Sequence, residues 1–241
     1  MRIPLILFFL IIYRFTFPQQ KVNFKAADGL RITADLYLKD KNLPFILLFH
    51  QMGSSRGEYI QIAHKLLNLN YNCLAVDLRS GGEMNFVKNE TAAFAEEHNF
   101  KHSMLDSEID IEAAIHFVAG YNMKNVILMG SSFSASLCLI EANSNQKVSA
   151  VIALSPGEYF EPVFSVKEKL EDFNKLIFAT ASANESDYVI KLLNLIPGDK
   201  KNLFKSKNDS KSFGSGILTN ESSDSKECWL QLSLFFKKIK S

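Results

Sequence analysis

The chain has 241 residues, of which 47% are hydrophobic and 22% charged, a composition that fits one sizeable domain with a full core rather than two small ones. Its 27 Lys and Arg nearly cancel 26 Asp and Glu, so the summed charge offers no single-sign field to hold nucleic acid or an anionic membrane, and the expected partner is a small molecule. The cysteines, Cys73, Cys138 and Cys228, are odd in number, widely spaced and set among apolar residues. That pattern suggests neither a disulfide framework nor a metal site, and it reads as buried small hydrophobes.

The first stretch, "MRIPLILFFLIIYRFTFPQQ", has one basic residue, an apolar run from Ile3 to Tyr13, then Arg14 and a polar exit at Gln19 and Gln20. The run is shorter than the ~20 residues that cross a bilayer and matches the apolar region of an export signal. The expectation is therefore an exported, periplasmic or secreted protein, with residues 1–20 as signal and residues 21–241 as the folded domain. No Ala-x-Ala precedes Lys21, so an uncleaved membrane anchor or a buried first helix stays open.

From there strand-like and helix-like periods alternate. Residues 21–38, "KVNFKAADGLRITADLYL", read as two alternating strands turning at Asp28-Gly29. Five continuous apolar runs, at 44–50, 73–78, 125–130, 149–155 and 175–181, have the character of parallel strands buried on both faces. Amphipathic stretches at 58–69, 105–119, 133–141, 186–196 and 226–238 read as helices. This order specifies an α/β fold, a mostly parallel sheet with an antiparallel N-terminal hairpin at one edge and helices on both faces. Residues 205–226, rich in Ser and Lys, read as a solvated loop.

Within this frame, "VILMGSSFSASLCLI" (126–140) places Gly130-Ser131-Ser132-Phe133-Ser134 between a strand and a helix. That is the setting of a G-x-S-x-G nucleophile elbow, whose turn is so tight that residues two before and two after the nucleophile must be small. Gly130 and Ser134 satisfy this, although Ser134 departs from the second glycine; a plain serine-rich turn is the alternative. The loop after the first buried strand, His50-Gln51-Met52-Gly53, is similar to the His-Gly-x-Gly loop of α/β-hydrolases, with Gln51 in the first glycine's place. In that architecture the loop gives one N–H of an oxyanion hole and the residue after the nucleophile gives the other. The donors would be Met52 (or Gln51) and Phe133, with His50 tying down the loop rather than acting as a base.

Together with the elbow, the pieces "LLFHQ", "DLRSGGE", "KNET" and "SPGEYF" resemble a group of exported bacterial α/β-hydrolases described as dienelactone-hydrolase-like. The resemblance runs from about Val22 to the last helix, with no lid domain inserted. It implies the α/β-hydrolase fold, a serine nucleophile at Ser132, hydrolysis of small ester-type acyl substrates and no cofactor or metal. It also implies an acid just after the strand at 175–181, Glu185 or else Asp187; the alternative is a helix N-terminus with favourable acidic residues.

The base is where the chain departs from the family. All five histidines, His50, His64, His98, His102 and His116, precede Ser132, and Phe213 in "FGSGIL" stands where the relatives keep the triad histidine. His64 and His116 read as surface residues. His98 and His102, in the long connection after "DLRSGGEMNF", are candidate replacements, and Lys211 would be one only if burial lowered its pKa. Asp77 and Arg79 read as a charged pair shaping the pocket rim. Two readings follow, a serine hydrolase with an unorthodox base and a non-catalytic protein of the same fold that binds a small ligand or partner.

Overall fold

A computed structural model describes residues 19–121, 125–207 and 212–240. The expected export signal and the candidate base Lys211 lie outside them, apart from Gln19 and Gln20, which open the first strand. No described helix is long and apolar enough to cross a membrane.

The hairpin forms as its alternation requires, β1 (Gln19–Lys25) against β2 (Arg31–Tyr37), with Gln19 opposite Tyr37 and Lys25 opposite Arg31. Gly29, at φ 91, takes the left-handed turn position, and the Asp28 side chain accepts from the Leu30 N–H. The apolar runs become β3 (Phe45–Phe49), β4 (Asn72–Val76), β7 (Val126–Ser131), β8 (Val148–Leu154) and β9 (Leu176–Ala181). They join β10 (Lys201–Lys205) in an eight-stranded sheet of order β1-β2-β4-β3-β7-β8-β9-β10, antiparallel only at β1–β2 and β2–β4. Both faces are covered, which is why these strands read as unbroken apolar runs. On one face Leu47, Leu74, Leu128 and Val151 pack against α3 (Glu108–Ala119) and α4 (Phe133–Ser144). On the other, Ile46, Leu48, Met129 and Ile152 pack against α1 (Ile60–Asn68) and α6 (Ser225–Lys240). Cys73, Cys138 and Cys228 are buried and free, as expected of small hydrophobes, and the described residues contain no His/Cys/Asp/Glu group able to hold a metal.

Four features depart from the sequence reading. α2 (Glu90–Glu97) was not expected because only Thr91 and Ala95 are buried; it forms on the Asn89 side chain, which caps Ala92 N–H at 2.8 Å. β10 was missed because an edge strand needs one apolar anchor, here Phe204, and otherwise reads as polar. A two-stranded ribbon, β5 (Glu83–Met84) with β6 (Val87–Lys88), interrupts the connection after β4. The serine-rich segment is not simply a solvated loop: Ser212, Gly214, Ser215, Ile217, Leu218 and Ser222 are buried, and a 3-10 turn spans Gly214–Leu218.

Asp77 and Arg79 do not pair with each other. Asp77 binds Arg56, Nη1 to Oδ2 at 2.5 Å and backbone N to Oδ1 at 2.8 Å, and also accepts from Glu90 N–H. This cluster fastens the loop after β3 to the end of β4. Arg79 is bound by Asp110 through Nε and Nη2 and by Asp28 through Nη1, which ties the hairpin turn to α3. Because Arg79 and Asp110 side chains are 1% and 0% exposed, removing one partner leaves a buried unpaired charge. Arg79→Met should destabilise the protein by about 3–5 kcal/mol in urea unfolding, and a loss below about 1 kcal/mol would mean the pair is solvated.

Candidate functional site

At the end of β7 the chain reverses into α4 through Ser132, whose φ of 61° and ψ of −124° lie outside the regions a residue with a side chain favours. Such strain costs on the order of 1–3 kcal/mol and persists only where surrounding contacts fix it. They do so here. Ser132 N–H donates to the Leu154 carbonyl at 2.8 Å, and Ser134 Oγ accepts from Ser131 N–H at 2.9 Å and lies 2.7 Å from the Phe49 carbonyl. A Cβ on Gly130 would stand 2.5 Å from Ser134 backbone atoms, so the crossing demands glycine at 130 and a small residue at 134. The serine that replaces the second glycine is therefore a bonded part of the turn.

Phe133 N–H, at the first position of α4, and Met52 N–H have no hydrogen-bond partner among the described residues. Gln51 is corrected as a donor: its N–H is occupied by Glu58 Oε2 at 2.9 Å, so of the two expected loop donors only Met52 keeps its amide open. His50 is fully buried and ties the loop down, as expected. Its Nε2 accepts from Leu78 N–H at 3.0 Å, so Nδ1 carries the proton and donates to the Gln51 carbonyl at 2.8 Å. Burial pushes this imidazole below its ordinary 6.5, opposed by the Gln51 bond and the Glu58 carboxylate.

Glu185, at the N-terminus of α5 (Ser186–Leu192), accepts from Ser155 Oγ at 2.5 Å and Ser182 N–H at 2.8 Å. Asp187 is exposed in the first turn of α5. Ser155 Oγ in turn accepts from Gly214 N–H at 2.9 Å, and Ser215 N–H donates to Ser131 Oγ at 3.0 Å. A Cβ on Gly214 would collide with Ser131 Oγ and Gln51 Oε1. The turn after Phe213 is thus clamped between the elbow, the β3 loop and the Glu185–Ser155 pair. Phe213 is 39% exposed.

The other histidines do not fill the gap. His98 bonds the Phe94 carbonyl and stacks on the Phe94 ring, and His102 bonds the Phe100 carbonyl. His64 is exposed and meets Tyr37 edge-on, and His116 lies 3.8 Å from Glu112 on the surface. The Ser132 hydroxyl instead donates to Tyr159 Oη at 3.0 Å. Tyr159 carried no role in the sequence reading, although "SPGEYF" contains it. Its strand-end segment is pinned to α4, where Ser136 Oγ accepts from Gly157 N–H at 2.9 Å. Burial raises the phenol above its ordinary 10.0, the Ser132 bond opposes this and the Glu185 carboxylate adds to it, so Tyr159 is neutral near pH 7.

No family model and no curated protein matches the sequence. Solved structures do match in fold. An esterase of Pyrococcus furiosus is 15% identical with a TM-score of 0.69, covering 92% of this chain and 93% of that one. Est1E from Butyrivibrio proteoclasticus, solved with ferulic acid, is 11% identical with a TM-score of 0.69 over 91% of this chain and all of its own. A Klebsiella pneumoniae protein described as a dienelactone hydrolase is 12% identical with a TM-score of 0.66, covering 91% and 99%. The chain has the α/β-hydrolase fold.

Two expectations follow from the elbow and the loop. Ser134→Leu should give no folded, soluble protein, whereas Ser134→Gly should fold with a loss of about 1–2 kcal/mol in thermal melts, the worth of the deleted hydroxyl's bonds. A normally folded Leu variant would refute the tight crossing. His50 binds its proton more weakly folded than unfolded, so the unfolded state holds more protons below pH 6.5 and stability is lost as pH falls from there. Burial raises Asp35 and Asp77, which act in the opposite direction. The His50 share is therefore read by comparison: His50→Gln should flatten the acid-side loss in a denaturation series, and an unchanged slope would mean the ring is solvated.

Proposed function

We propose that the chain is an α/β-hydrolase acting on small ester-type acyl substrates through Ser132, with no histidine base. The observation that supports this most is the strained Ser132 turn, together with Phe133 and Met52 N–H groups that have no hydrogen-bond partner among the described residues. Strain and open donors are retained where a nucleophile and an oxyanion must be placed, and a plain serine-rich turn needs neither. The esterase and hydrolase neighbours agree with it.

The chemistry then runs as follows. Ser132 Oγ bonds to the acyl carbon and its proton leaves, while the amides hold the oxyanion until the alcohol departs. Water repeats the step on the acyl-serine and releases the acid. With Phe213 in the histidine's place, no positioned side chain takes the serine proton. Tyr159, neutral near pH 7, orients the hydroxyl by accepting its hydrogen bond but is a poor proton acceptor, so the proton leaves to water or hydroxide. Glu185 holds Ser155 instead of an imidazole. The rate is accordingly low, since a positioned general base contributes typically 10²–10⁴-fold. The second reading, a ligand-binding protein without turnover, is favoured by the same Phe213.

The test uses p-nitrophenyl acetate and a fluorophosphonate label. Wild type should hydrolyse slowly, its rate rising with pH between about 6 and 9 without a break, because no imidazole titrates at the serine. Phe213→His should raise the rate at least ~10-fold and introduce a break near the imidazole pKa, and Ser132→Ala should remove both activity and label. Wild type that neither labels nor turns over, with a Phe213→His variant equally silent, would favour the binding protein. A fast wild type indifferent to Phe213 would mean another base is in place.

A further inference from the structure

The near-zero net charge conceals a separation by position. All strands from β3 onward except the β5–β6 ribbon are parallel, so the sheet has two distinct ends. Ser132, the Met52 loop and Glu185 lie where strands finish. The exposed carboxylates Glu83, Glu161 and Asp187 lie in connections at that same end, together with the exposed Lys88 and Lys101. At the opposite end, where strands begin and helices finish, are Lys39 and Lys41 between β2 and β3, Lys147 before β8, and Lys237, Lys238 and Lys240 in the last turn of α6.

Contacts tie these lysines to one surface. Lys240 Nζ sits 4.9 Å from the Tyr71 ring centroid, and Lys39 Nζ donates at 2.7 Å to Asn70 beside it. Lys238 Nζ donates to the Asp199 carbonyl just before β10. Lys41, Lys147, Lys237 and Lys240 are exposed and make no ion pair among the described residues. Carboxylates at this end, Asp40, Glu141, Glu168, Glu171, Asp172 and Asp199, are fewer than the lysines there once Lys175, Lys191 and Lys200 are counted with the six above, and Leu195 projects from the turn before β10 at 43% exposure.

The chain also enters here. Gln19 pairs with Tyr37, and Tyr37 with Cys73 near the start of β4, so residues 1–18, with their apolar run 3–13, join the domain at the lysine end. We propose that this end docks on an anionic bilayer surface, with the Ser132 end facing away from it. Scattered lysines are strongly hydrated point charges suited to a diffuse field of lipid phosphates, each strengthening binding about 5-fold near such a surface. That an apolar run precedes Gln19 in the sequence, and Gln19 lies at this end, favours lipid as the partner over a nucleic acid.

The test is co-sedimentation of the full chain with vesicles of phosphatidylcholine alone or with about 30% phosphatidylglycerol. Anionic vesicles should bind at least ~10-fold more tightly, and salt at about 0.5 M should erase the difference. Lys41→Glu, Lys147→Glu, Lys237→Glu and Lys240→Glu combined should abolish the preference, and neutralising one charge by Lys147→Gln or Lys240→Gln alone should weaken it about 5-fold. Lys88→Glu with Lys101→Glu, at the serine end, should leave it intact. Equal binding to both vesicles, a preference that survives the four reversals, or stronger binding to RNA than to anionic vesicles at the same salt would overturn the proposal.

Discussion

The crossing of β7 and α4 at Gly130 is the constraint on which the site depends. Strand and helix approach until no Cβ fits at 130, so residue 134 must be small and Ser132 must accept a positive φ. The Ser134 hydroxyl links the turn to the end of β3 through the Phe49 carbonyl, so the elbow and the loop carrying Met52 are fixed by the same group. A close approach of backbones thus becomes a precise placement of one hydroxyl, and the strain is held by bonds that form only when the sheet is assembled.

Around this point, serine hydroxyls bond the neighbouring segments to one another. Ser155 stands between Glu185 and the Gly214 amide, and Ser131 receives the Ser215 amide. The buried backbone of the 212–218 turn would otherwise carry unpaired N–H groups. Its serines and glycines let it lie flat against the elbow, where a larger residue at 214 would collide. Glu185 therefore has a mechanical role, since it holds the Ser155 hydroxyl that receives the Gly214 amide.

The loop that reaches the elbow is held from behind by charge. Arg56 anchors it to Asp77 at the end of β4, and the neutral His50 ring bridges the Gln51 carbonyl and the Leu78 amide. Composition reports the same charged residues as nearly balanced, but their positions differ: paired and buried just past the end of β4, and on the surface without an ion pair among the described residues at Lys41, Lys147, Lys237 and Lys240.

The hairpin, the buried parallel strands, most helices and the elbow were legible in the sequence because each depends on local periodicity or on steric rules spanning five residues. The absence of a histidine after Ser132 was legible too, since it needs no structure to count. α2 and β10 were not, because a side-chain cap and a single edge anchor leave little apolar pattern. Nor was the partner of Ser132. Tyr159 reaches it across 27 residues of chain only because β7 and β8 run side by side. The burial of the serine-rich segment, the separation of Asp77 from Arg79 and the loss of Gln51 as a donor are likewise tertiary decisions. A hydrogen bond between distant residues obeys distance and angle, and neither is written in composition or spacing.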